Sequence, residues 1–72
     1  MNYRINLSGV NCDGCKNLVK MMLEENGFVN VEVNEKNATF DVERENLDVK
    51  SILDEEFPKL PHHQYSDLIK LN

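Results

Sequence analysis

Two cysteines, Cys12 and Cys15, are the thiols of this 72-residue chain, and they stand three positions apart in Gly9-Val10-Asn11-Cys12-Asp13-Gly14-Cys15. A pair at this spacing can place two thiolates on one small cation, or it can close a disulfide for redox work. Thiolates are soft ligands and suit Cu(I) first, with Zn(II) second. Only two protein ligands are evident from the sequence, whereas a structural zinc site wants about four, so the pair reads as an open, exchangeable site. An open position serves a carrier, because a partner thiolate can attack the metal there and take it by stepwise exchange. The plainer reading, a small buried cysteine pair without a ligand, fits poorly with Cys12 in a polar loop.

A thiol–disulfide redox protein is the main rival. That class usually uses a larger α/β domain, with an aromatic before the first cysteine and a proline between the two. Here the neighbours are Asn11, Asp13 and Gly14. A Cys12–Cys15 disulfide is then expected as a reversible product of oxidation that blocks metal.

The elements around the pair are legible from periodicity. Tyr3, Ile5 and Leu7 alternate with Arg4, Asn6 and Ser8, which predicts a strand ended by Gly9. Asp13, or the loop around it, is expected to cap the next helix, with Gly14 letting the backbone turn tightly. Cys15, Leu18, Val19, Met22 and Leu23 then follow a helical stripe, with Met21 off it and partly exposed, up to Asn26-Gly27. Thiols at a helix start lie near free N–H groups and the positive end of the dipole, which lowers thiol pKa values.

Residues 28–33 predict a second strand with Val29, Val31 and Val33 on one face. Asn34 to Asn37 form a polar turn, and Ala38, Phe40 and Val42 mark a third strand. Asn46 is placed as the cap of a second helix with Val49, Ile52, Leu53 and Phe57 buried, and Pro58 and Pro61 forbid its continuation. Gln64 to Leu71 reads as a last strand with Tyr65, Ile69 and Leu71 inward and Asp67 as the exception.

The order β-α-β-β-α-β predicts an α+β fold, a ferredoxin-like βαββαβ sandwich. Its four-stranded antiparallel sheet has the order 4-1-3-2, with both helices on one face. Residues 1–72 form a single domain. In that topology Cys12 and Cys15 share an end with the turn at Asn34 to Asn37 and with the loop from Pro58 to His63. His62 and His63 read first as exposed loop histidines; in the sharper reading one of them supplements the thiolates as a nitrogen ligand. Asp13 is a candidate hard oxygen ligand for zinc. Lys16, Lys20, Lys36 and Lys59 read as a solvated face or as a small basic rim near the thiols. Met22 is core and adjacent to Met21, so no copper-binding methionine box is supported.

Over essentially its whole length the chain resembles a heavy-metal-associated domain, the small fold of copper chaperones and of the N-terminal domains of metal-transporting ATPases. The resemblance rests on Gly9-Val10-Asn11-Cys12-Asp13-Gly14-Cys15, on Gly27-Phe28-Val29-Asn30-Val31-Glu32-Val33 and on the element order. The family motif usually has methionine where Val10 stands; that residue packs under the loop without binding metal, and valine can bury there too. The family's frequent Gly-aromatic pair after helix two is replaced by Glu56-Phe57-Pro58. Zinc-selective relatives tend to carry an acid before the first cysteine, where Asn11 stands. Some bacterial members carry a histidine in the loop before strand four.

The resemblance implies a metallochaperone that carries Cu(I) on Cys12 and Cys15 to a metal-transporting P-type ATPase or its metal-binding domain. The alternative that the resemblance leaves open is an N-terminal ATPase domain with Zn(II), Cd(II) or Hg(II) preference, and Asn11 before the first cysteine leans the reading to copper. The expected state is a monomer, or a metal-bridged dimer.

Composition excludes other classes. A net charge of −5, from 13 acidic and 8 basic residues, disfavours nucleic acid, which needs a basic footprint. No apolar run approaches the roughly 20 residues of a membrane span. The start, Met1-Asn2-Tyr3-Arg4-Ile5, lacks the pattern of a signal peptide. Two cysteines are too few for a secreted disulfide framework, so a cytoplasmic protein with reduced thiols is expected. No constellation for catalysis is present, and the chain is not read as an enzyme.

Overall fold

A computed structural model describes residues 1–44, 47–60 and 62–71. The elements follow the order β1 (Asn2–Ser8), α1 (Asp13–Glu25), β2 (Val29–Val33), β3 (Asn37–Asp41), α2 (Val49–Glu56) and β4 (Gln64–Lys70), with a 3-10 turn at Phe57–Lys59 after α2. The strands form one four-stranded sheet in the order β2-β3-β1-β4, the expected order read from the other edge. All pairings are antiparallel.

One face of the sheet is apolar because the strands alternate. Ile5, Ala38 and Phe40 are fully buried, while Arg4 and Ser8 between the apolar positions of β1 face solvent. Val19, Met22 and Leu23 of α1 and Val49 and Leu53 of α2 join those strand residues in a single core. Phe40 is its centre, with its ring stacked 4.6 Å from Phe28 and 6.0 Å from Tyr3. Burying a side chain of this size stabilises by about 1.5–3 kcal/mol.

Local chemistry sets the element ends. At the close of α1, Phe28 N–H donates to Leu23 O and Gly27 N–H to Glu24 O, with Gly27 at φ +90. Both bonds satisfy carbonyls that the last turn leaves free, and the left-handed position suits glycine. In the β2–β3 turn the Asn34 Oδ1 accepts from the N–H groups of Lys36 and Asn37, both at 2.8 Å. The expected cap of α2, Asn46, lies outside the described residues, as does Pro61. Asp48 caps this helix: its carboxylate accepts from Ser51 N–H and Oγ–H, bonds that hold its pKa below the ordinary carboxylate value.

Three expectations are corrected. Leu18, expected on the buried stripe, is 42% exposed, because α1 turns only Val19, Met22 and Leu23 fully to the sheet; Met21 is exposed as expected. Gly14 does not make the tight turn, since it sits within the first turn of α1; the left-handed glycine is Gly9, at φ +79. Ile69 in β4 and Leu71 just past its end are exposed, and Leu68 packs against the core instead. Asp67 is the cause. It adopts φ +53 where the β1–β4 register shifts, and the extra residue reverses the alternation beyond it.

Candidate functional site

The loop between β1 and α1 is held from below. Val10 is 2% exposed and belongs to the core, as expected for a residue that packs under the loop. Asn11, Cys12, Asp13 and Gly14 are all exposed, and Cys15 is half-buried against the core edge. The two cysteines are joined as a disulfide with Cα atoms 5.1 Å apart. The side chains therefore converge on one point at the start of α1.

Cys12, rather than Asp13, is the N-cap. Its extended backbone precedes the helix, its sulfur accepts from Cys15 N–H at 3.1 Å, and its carbonyl accepts from Lys16 N–H at 3.1 Å. Asp13 is instead the first helical residue, with a fully exposed carboxylate 3.6 Å from Lys16 Nζ. Lys16 also lies 4.0 Å from Glu35 Oε1 in the β2–β3 turn, which places that turn at the thiol end. Lys59 is drawn to Glu56 at 3.3 Å. Two of the four lysines read as a basic rim are thus paired with acids on the surface, where such pairs contribute little stability.

The two histidines differ. His62 is exposed and turns the chain at φ +74. His63 is 7% exposed, with Nδ1 3.0 Å from the carbonyl oxygen of Gly9. The expectation of two exposed loop histidines therefore fails for His63, because β4 begins beside the end of β1 and the ring is folded under the cysteine loop. Ser8 pairs with Gln64 at this end of the sheet. A carbonyl only accepts, so Nδ1 carries the proton and donates. Among the described residues, no group of three or more His, Cys, Asp or Glu side chains is arranged to hold a metal ion. Nor is any helix among them long and apolar enough to cross a membrane.

Sequence reasoning missed one polar link. Tyr65 OH donates to Asp54 Oδ1, joining β4 to α2, and the Tyr65 ring lies 5.0 Å from that of Phe57. Burial first, then the bond to Asp54, raises the Tyr65 pKa to about 12, and the same bond lowers that of Asp54. Tyr65 was legible as an inward residue, but no spacing rule pairs it with Asp54. Comparison of the chain with family models, curated proteins and solved structures gives no match.

Proposed function

We propose that the chain carries one soft metal ion, Cu(I) ahead of Zn(II), between Cys12 and Cys15 and passes it to a partner with similar thiols. The convergence of the two sulfurs at an exposed helix start carries this reading. Once reduced, the same convergence offers two thiolates to one ion, with N–H groups of the first turn and the helix dipole favouring their negative charge. Two sulfur donors satisfy Cu(I) better than Zn(II), and they leave the ion open to an incoming thiolate.

The element order and sheet order support the ferredoxin-like arrangement of a heavy-metal-associated domain, with both helices over one sheet face. Within that reading the partner is a metal-transporting P-type ATPase or its metal-binding domain. The working compartment is the cytoplasm, where thiols stay reduced. The chain acts as a metal carrier rather than an enzyme.

A second reading, a small thiol–disulfide redox protein, is favoured by the closed Cys12–Cys15 disulfide. One experiment separates the two. The reduced, Cu(I)-loaded chain is mixed with an isolated Cys-x-x-Cys domain of a copper ATPase, and the copper on each is measured after separation. Transfer that slows as salt rises supports carriage by a charged chain. Retention of all copper by the donor, with efficient catalysis of disulfide exchange in a model substrate, favours the redox protein.

A further inference from the structure

We infer that His63 is a positioning residue for the cysteine loop: its Nδ1–H donates to the Gly9 carbonyl and holds the turn that brings the two sulfurs together. The inference rests on the proposed Cys12–Cys15 site and concerns how that site is kept in shape.

Gly9 is three residues before Cys12 and adopts φ +79, so the direction of the whole loop depends on its backbone. Two things fix that backbone. Val10 is buried in the core, and the Gly9 carbonyl is bonded to His63 at 3.0 Å. The approach is close: a Cβ on Gly9 would lie 1.7 Å from the His62 carbonyl oxygen. His63 is itself secured, since its N–H donates to Leu60 O at 3.2 Å and its ring is buried. The bond thus ties the cysteine loop to the start of β4, 54 residues further along the chain.

Both chemistries open to the pair need the sulfurs together. Disulfide closure and metal chelation each pay an ordering cost that a pre-set loop reduces. A single hydrogen bond, here part-buried, contributes enough to alter either equilibrium by about three- to tenfold. The bond also assigns His63 its tautomer: Nδ1 protonated, Nε2 bare. Any coordination by His63 would therefore have to use Nε2, since Nδ1 is already committed to Gly9.

The test compares wild type with His63→Leu, which removes the donor, and His63→Asn, whose amide restores a donor near the Nδ1 position. Each protein is equilibrated with reduced and oxidised glutathione; two glutathiones reduce the Cys12–Cys15 disulfide and leave as one oxidised glutathione. His63→Leu is expected to shift this equilibrium toward the dithiol by about three- to tenfold and to weaken Cu(I) binding by a similar factor. His63→Asn is expected to restore both. Nitrogen NMR of the wild-type imidazole is expected to show the neutral ring protonated on Nδ1. A folded His63→Leu protein with the wild-type glutathione equilibrium would overturn the inference. So would a wild-type ring protonated mainly on Nε2, a measurement that holds even if the leucine variant does not fold. If wild type binds no Cu(I), the metal reading fails, and the glutathione and NMR results still decide the role of His63.

Discussion

The backbone N–H of Cys15 donates to the sulfur of Cys12 across 3.1 Å, so one sulfur of the disulfide caps the helix on which the other is carried. The chemical site and the helix start are thus one piece of structure. Serine is a good N-cap and alanine a poor one, and losing a cap costs about 1 kcal/mol. Cys12→Ser should therefore keep near-wild-type stability, whereas Cys12→Ala should lose about 1 kcal/mol relative to it. Both should abolish disulfide closure. Thermal unfolding of the two variants under reducing conditions checks the difference; equal melting temperatures would remove the capping role.

Gly9 and Gly14, on either side of Cys12, should answer oppositely to alanine. Gly9 has a left-handed φ of +79, and its missing Cβ makes room for the His62 carbonyl. Gly9→Ala should cost at least about 3 kcal/mol, since backbone must move against backbone. Gly14 has open space around its Cα and lies inside α1. Gly14→Ala should stabilise by about 0.5–1 kcal/mol through helix propensity. Denaturant unfolding of the two variants measures both effects.

Much of this was legible in the sequence because burial leaves a period. The alternation Tyr3-Ile5-Leu7 and Ala38-Phe40-Val42, and the stripe through Val19, Met22 and Leu23, mark elements whose apolar faces do meet in one core. The order of the sheet follows from the order of those elements. What escaped were features without a period. A single residue, Asp67, moves into the left-handed region and exchanges the faces of Leu68 and Ile69. Asn30, at φ +52, sits where β2 slips its register against β3. At the site, the cysteine pair could be read directly, whereas the burial of Val10 was expected only from the resemblance. The burial of His63 could not be read, because it depends on how closely Gly9 and His62 approach in space.

The bulge in β4 gives a further prediction. Asp67 tolerates φ +53 and accepts from Asn6 Nδ2 at 3.0 Å. A β-branched residue is strongly disfavoured in that region. Asp67→Val should lose about 1–2 kcal/mol, while Asp67→Gly, which relieves the backbone but gives up the bond, should stay within about 1 kcal/mol of wild type. Equal stability of the valine and glycine variants by urea titration would contradict the assigned backbone.

The Tyr65–Asp54 link should be visible in pH. The Tyr65 pKa is raised from 10.0 to about 12 in the folded chain. Its contribution to stability is therefore fully present below the ordinary tyrosine value and is lost as pH rises toward about 12. The Asp54 pKa is lowered, so its contribution is present above the ordinary carboxylate range and is lost as pH falls through the folded value. Tyr65→Phe should flatten the alkaline loss and bring the Asp54 titration back toward the ordinary value. Carboxyl-resolved NMR titration checks the acid side, and melting temperature against pH checks the alkaline side.

The most direct measurement is a competition titration of the fully reduced chain with Cu(I) and Zn(II) against chromophoric chelators, alongside Cys12→Ser and Cys15→Ser. Carriage on the thiol pair predicts one tightly held Cu(I) per chain, weaker Zn(II), and a loss of Cu(I) affinity by orders of magnitude in each variant with the fold intact. Undiminished Cu(I) affinity after both cysteines are replaced, or no Cu(I) bound by the reduced wild type, would contradict it.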